Sequence, residues 1–242
     1  MDLLTIILLC LMALGAALVQ RISGFGFGIF IMTALPLLMP SYGEALTLSG
    51  ALALVTSAII VWHMHRYIAW GKLLPILITF LIVSWIAGEC LTLAGDKLLK
   101  HILGVMLILA SIWFFCLSER IHINPTMPMQ IGLGTLSGVM GGLFGMQGPP
   151  AVLYFLASAS RKEEYMAMAQ CYFLVGNLCM TGHRAWLGLF THNVALAWAC
   201  CLPTVLLGTW IGSLVYQRLP IRIIRKIVYA YMGISGVIAL LQ

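Results

Sequence analysis

Charge is what this sequence has least of. Asp, Glu, Lys and Arg make up 8% of its 242 residues, and seven of these are acidic; a soluble domain carries about 25%. No long polar segment interrupts the apolar runs, which excludes a soluble domain of any size. The ten-residue alternation of a transmembrane barrel is missing too. There is no HExxH and no Ser/His/Asp set on facing segments, so an enzyme is not expected. Seven cysteines (Cys10, Cys90, Cys116, Cys171, Cys179, Cys200, Cys201) fall inside apolar runs without zinc spacing. They read as small buried residues, with Cys171 and Cys179 as thiols handling a sulfur substrate the alternative. No His/Cys/carboxylate set reaches ligand quality, so no metal is expected. Met1–Gln20 begins with acidic Asp2 rather than a basic segment, and its apolar run continues, so a cleaved signal peptide is not expected.

Apolar residues account for 62% of the chain, and mean hydropathy is +1.05. Runs of membrane-spanning length cover nearly all of it. The expectation is an all-α polytopic membrane protein. Leu3–Val19 is the first run, interrupted by Gln20, Arg21 and a glycine-rich knot, Gly24–Gly28, before Ile29–Met39 continues. Spans follow at Ala45–Trp62, Leu73–Leu93 and Ile102–Leu117. After a polar linker within Ser118–Pro128 comes a second glycine-broken unit, 129–158, then spans at Tyr165–Thr181, Val194–Tyr216 and Ile227–Leu241.

The second knot, GVMGGLFGMQGPP over Gly138–Pro150, is the richest stretch. Gly134, Gly138 and Gly142 recur every fourth residue, as do Gly141 and Gly145, which gives a helix a groove for close packing. Pro149 and Pro150 supply no N–H and suit a first helical turn. A helix ending near Gly142–Gly145, an unwound Met146–Gly148 and a new helix at the prolines follow. Bare backbone at membrane depth survives only against protein or a watery cavity, where a helix N-terminus attracts anions. Tight packing and an anion site are both open readings of these glycines.

The order of parts repeats: glycine-broken pair, then three spans. Gly24 aligns with Gly145, Glu44 with Glu164, and Ser84-Trp85-Ile86-Ala87 with Thr209-Trp210-Ile211-Gly212. Repeat 1 covers 1–120, the linker 121–128, and repeat 2 129–242. Arg66 and Lys72 outweigh Arg184 at the equivalent loop, while Arg218, Arg222, Arg225 and Lys226 outweigh Asp96, Lys97 and Lys100. Lys and Arg favour cytoplasmic loops, so 63–72 and 217–226 are expected inside. Equivalent loops then lie on opposite faces, giving two inverted repeats, each a glycine-broken helix pair (hairpin or V) plus three transmembrane helices. Many secondary transporters have that architecture. Both termini are expected outside. The net charge of +6, spread over loops, speaks for orientation and not for nucleic acid.

In such an arrangement the knots face one another near the midplane. Ser23, Gly24, Phe25, Gly26, Phe27 and Gly28 from the first, and Gly145, Met146, Gln147, Gly148 and Pro149 from the second, are the candidate substrate-binding residues. Two helix ends with free N–H groups hold an oxyanion without a fixed cation. Ser23 caps the following helix or donates to substrate; Gln147 donates an amide or satisfies unwound backbone. Asn177 sits mid-span and must face protein or a pore, with Ser57 as its repeat partner and Gln170 two turns earlier. Arg21 is a cation at the cavity mouth or snorkels to the interface. Glu89 is a proton-coupling candidate or an interfacial residue. His63, His65, His101, His183 and His192 flank spans, His122 lies in the linker, and all read as interfacial.

Arg21-Ile-Ser-Gly-Phe-Gly-Phe-Gly28 running into Pro36, and Gly138-x-x-Gly-Gly-x-x-Gly-x-x-Gly-Pro-Pro150 followed by Ala-Val-Leu-Tyr-Phe-Leu, resemble the sulfite exporter TauE/SafE family, also called TSUP. The likeness extends loosely over the whole chain. Many members carry a third glycine where this chain has Gln147 or the prolines, a departure that touches substrate identity. The resemblance implies a multi-pass carrier of the bacterial inner membrane for sulfite, sulfoacetate or related sulfonates, with export commoner than uptake. Its partners are a small anion and the lipid bilayer, with a homodimer left open. No cofactor is implied, and a proton or a sodium ion is the coupling alternative. An anion channel without ion coupling is the competing function.

Overall fold

The computed structural model describes residues 2–93, 95–116 and 126–216. Most of the expected linker, the loop 217–226 and the last span lie outside these residues. All regular structure among the described residues is helical: α1 (Leu3–Ser23), α2 (Phe27–Ile31), α3 (Leu35–Leu38), α4 (Tyr42–Met64), α5 (Trp70–Leu93), α6 (Asp96–Cys116), α7 (Met127–Phe144), α8 (Gly148–Ser158), α9 (Lys162–Trp186) and α10 (His192–Tyr216), with a 3-10 turn at His65–Tyr67. Within α1, α4, α5 and α10 there are stretches long and apolar enough to cross a membrane. Large apolar side chains remain exposed along them, and Trp62 and Trp186 stand out at opposite ends of the bundle, where interfacial tryptophans belong.

The two glycine breaks form for local reasons. α1 ends in Gly24 at φ 82, which returns its N–H to the Gln20 carbonyl. α7 ends in Gly145 at φ 67, bonded back to Gly141 and Met140. Only glycine takes this left-handed cap without strain. α8 then restarts at Gly148 with prolines in its first turn, as their missing N–H groups allow. Pro128 belongs to the first turn of α7 and not to the linker. The first break differs from expectation: Ile29–Met39 is not one helix. α2 stops at Ile31 and α3 restarts over Leu35–Leu38 around Pro36, because proline disfavours helical geometry just before it.

Glycines also set the close packing. α5 and α7 run parallel, with Gly134 against Ile76 and Thr79, Gly138 against Val83, and Gly142 against Ser84 and Ala87. α1 and α10 run parallel as well, Cys10 meeting Cys200 and Cys201 while Arg21 meets Ser213. α4 lies antiparallel to α9, so that Gly43 touches Leu189 just beyond α9, and Gly50 touches Thr181 and Asn177. The short turns 65–69 and 187–191 reverse the chain between α4 and α5 and between α9 and α10. One face of the bundle therefore carries the turn 65–69 and the starts of α5 and α9. The other carries the turn 187–191 and the ends of α5 and α9.

Candidate functional site

The two breaks meet at the centre. Gly28 faces the Gly145 carbonyl so closely that no Cβ fits between them. Around this contact lies a cavity of about 30 Å³, space for one or two waters. Gly26, Phe27 and Gly28 line it from the first break, and Gly145, Met146, Gln147 and Gly148 from the second. Gln20, Ile29, Leu46, Ser49, Gly50, Ala53, Phe173, Asn177 and Arg184 complete the wall.

α9 clamps both broken helices by their carbonyl ends. Near its start, the Tyr165 hydroxyl donates to the Ser23 carbonyl at 3.1 Å, and Gln170 Nε2 to the Gly24 carbonyl at 2.7 Å. Near its end, Arg184 Nη2 donates to the carbonyls of Gly141 (3.1 Å) and Gly142 (2.9 Å), and Nη1 to Leu46 (3.3 Å). Orphan carbonyls at helix C-termini need such partners. With these donors in place, the carbonyls at the ends of α1 and α7 are paired.

The remaining predicted residues divide. Gln147 Nε2 donates to Asn177 Oδ1 at 3.1 Å, while Gln147 Oε1 is buried with no protein partner among the described residues. Gln170 and Ser57 stand one step back: Gln20 Nε2 donates to both, at 2.8 Å each. Ser23 Oγ is taken up within its own turn by the carbonyls of Val19 and Phe25 and the N–H of Phe25. Gly24 serves as the α1 cap, Phe25 packs on Gly148, and Pro149 is buried in α8. Arg21 points to α10, where its Nε donates to Ser213 Oγ at 2.9 Å, and is not among the cavity residues.

Arg184 and His183 correct the sequence reading. Both were expected in an interfacial loop, but α9 runs on to Trp186 and buries them, at 2% and 4% exposure. Thus a fixed cation does border the cavity, where helix ends alone were expected to serve. Gln170, Asn177 and Arg184 fall at i, i+7 and i+14, with Thr181 between, one stripe of a helix. That spacing was the available signal. His183 Nε2 meets Glu89 Oε1 at 2.9 Å, and its ring stacks on Trp85 with centroids 4.1 Å apart. Glu89 itself is outside the core, its side chain 56% exposed. His63, His65 and His192 are exposed, and His101 is half-buried.

At the opposite face Lys72 Nζ meets Glu164 Oε1 at 2.7 Å. That hydrogen bond, first among the causes, holds the Glu164 carboxyl below its ordinary range. Among the described residues no group of three His, Cys, Asp or Glu is placed to hold a metal.

Comparison with known proteins places the chain among relatives. A curated relative named "Probable sulfite/organosulfonate exporter TauE", from Cupriavidus necator, is 27% identical over 205 residues, covering 80% of this chain and 77% of the relative. No solved structure matches the chain. The model of the sulfite exporter TauE/SafE family matches residues 9–238, nearly the whole length, and the chain belongs to that family.

Proposed function

We propose that the protein moves a small oxyanion of the sulfite or organosulfonate class, held in transit between the two glycine breaks beside Arg184. Membership of an exporter family makes it a multi-pass plasma-membrane transport protein and not an enzyme. The class of anion follows the printed name of the Cupriavidus necator relative.

Arg184 is the observation that carries the site. Its guanidinium is buried, borders the cavity and has no carboxylate within 4.0 Å among the described residues. Removing such a charge from water costs several kcal/mol. Three carbonyl dipoles offset part of that cost, and an anion offsets the rest while it is bound. The helix ends contribute less than expected: α2 has five residues, and Pro149 and Pro150 leave α8 few free N–H groups. Gln20, Ser49, Gln147, Asn177 and Gly148 supply the remaining polar wall.

Two inverted repeats, 1–120 and 129–242 about the linker 121–128, are supported by the directions of the helices. α1 runs opposite to α7, α4 to α9, and α5 to α10. Alternating access by rocking of one bundle of helices against another follows from that symmetry. The cavity holds no more than one or two waters, so an anion enters only when its walls separate. This favours a carrier over an open channel.

Counterflow tests the reading. Proteoliposomes preloaded with unlabelled sulfite should accumulate external labelled sulfite, and Arg184→Gln should reduce the initial rate about 10- to 100-fold, as loss of charge-assisted hydrogen bonds does. Sulfite conductance without exchange would leave the channel instead. Unchanged exchange in Arg184→Gln would remove the site.

A further inference from the structure

Arg184 borders a second cavity as well as the central one. This smaller space, about 10 Å³, lies toward the end of α5 and is walled by Ser84, Trp85, Gly142, Cys179 and His183. His183, one of its walls, is almost wholly buried and bonds Glu89, whose side chain is half exposed at the bundle surface. Carboxylate, imidazole and guanidinium thus follow one another inward to Arg184, which also borders the central cavity. Nothing in the anion site itself requires His183 or Glu89.

We propose that His183, positioned by Glu89, is the proton-bearing residue of the transport cycle, and that an anion passes Arg184 on this side together with a proton on His183. The inference rests on the carrier reading above and adds the coupling step to it. A protonated ring places a second positive charge next to Arg184 and lowers the cost of drawing the anion from the central cavity. A neutral ring leaves the anion with Arg184 alone. The two positive charges repel unless an anion lies between them or Glu89 answers one of them, so proton and anion favour each other's presence.

The geometry is suited to this. The ring is locked by its hydrogen bond to Glu89 and by stacking on Trp85. Its Nδ1 sits over Gly88, where a Cβ would come within 2.8 Å. Glu89 lies at the bundle surface, its side chain 56% exposed against 3% for His183, so a proton reaches the ring from outside the core. The groups that face this spot are Glu89 from α5, through its bond to His183, and Cys179 and Arg184 from α9, with Tyr42 of α4 the titratable neighbour of Arg184. α4 also carries Glu44 in its first turn. α7 contributes only the carbonyls of Gly141 and Gly142.

The test is sulfite counterflow in proteoliposomes against external pH from about 5.5 to 8, around the ordinary histidine range, with a proton-sensitive dye inside the vesicles. Sulfite titrates in this range too, but identically for every variant, so differences between variants belong to the protein. During net uptake wild type should move more protons per sulfite than the hydrogensulfite equilibrium itself carries. His183→Gln, which keeps a hydrogen-bonding partner for Glu89, should exchange sulfite with only the substrate's own pH profile and move no protons beyond those of that equilibrium. Glu89→Gln, on an exposed side chain, should change the pH profile from that of wild type and weaken the extra proton movement. Profiles that superimpose on wild type in both variants, with proton movement intact, overturn the proposal while leaving the anion site standing. Absence of wild-type counterflow at every pH overturns the carrier reading instead, and this inference with it.

Discussion

The Cα of Gly28 looks straight at the carbonyl oxygen of Gly145, leaving no volume for even a methyl group. These residues are 117 positions apart (145 − 28), one in each glycine break, and their contact is one of the places where the two halves of the chain meet backbone to backbone. Packing at this distance explains the glycine at 28 better than backbone freedom does, because its φ is not in the left-handed region; that is true of Gly24, Gly26 and Gly145 instead. Gly28→Ala must therefore push the breaks apart. Overpacking of this kind costs about 1–3 kcal/mol. We expect a lower melting temperature in detergent and loss of sulfite exchange. Melting and exchange that both match wild type would show that the two backbones part freely.

Charge at position 184 is not enough; its shape matters. The guanidinium reaches Gly141, Gly142 and Leu46 at once, and an ammonium on a flexible stem cannot cover all three. Arg184→Lys should therefore retain exchange at a reduced level, lower than wild type and above Arg184→Gln. Equal rates for Arg184→Lys and wild type would mean that the cation acts only as a point charge.

Gly50 offers a finer probe. A Cβ there would stand 2.5 Å from Thr181 Oγ1, 3.8 Å from Arg184 Nη1 and 3.9 Å from Asn177 Oδ1. The Thr181 hydroxyl has no partner among the described residues, so its removal is cheap. Gly50→Ala should raise the sulfite KM several-fold, and Gly50→Ala with Thr181→Ala should recover most of it. If the double variant is no better than the single one, the crowding lies elsewhere than at Thr181.

How far the sequence foretold this arrangement depends on the kind of signal. Backbone rules were readable: Gly145 ends a helix and Pro149 begins one for reasons visible in the letters alone. Side chains inside a span were harder. Arg184 follows an apolar run, and an arginine at such a boundary normally snorkels to the interface. Only the stripe formed with Gln170 and Asn177 indicated that the helix continues inward. The His183–Glu89 contact joins residues 94 apart and depends on how α5 meets α9, which no local pattern encodes. Ile29–Met39 misled for the opposite reason: it is continuously apolar, and Pro36 marked the interruption that composition concealed.

The Lys72–Glu164 pair predicts a modest acid sensitivity. Glu164 Oε2 also accepts from the Ser160 N–H, and Lys72 also donates to the Ser158 carbonyl, so the pair fastens the turn between α8 and α9 to α5. The folded pKa of Glu164 lies below its ordinary value of 4.5. The stabilisation is therefore complete above that value and is lost as pH falls through the lower folded value. Lys72 is partly exposed, so about 0.5–1 kcal/mol is appropriate. Melting curves of wild type and Glu164→Gln should differ by that amount at pH 7 and converge as the pH falls below the folded value of Glu164. A gap that does not narrow as the carboxyl is protonated would assign the effect to packing and not to the ion pair.

Cys10 and Cys201 report on which helices travel together. Their sulfurs lie 4.0 Å apart, and the helices that carry them are pressed close, with Gly208 against Leu14 and Gly212 against Arg21. Rotation of the two side chains brings the sulfurs to bonding distance without a large backbone shift. Copper-phenanthroline should therefore remove two maleimide-reactive thiols from denatured protein, and Cys10→Ser should abolish that loss. If α1 and α10 move as one body during transport, the bridged protein keeps exchanging sulfite at the unbridged rate. Bridging that stops exchange, and reduction that restores it, would instead place a sliding surface between α1 and α10, at odds with glycine contacts too tight to slip.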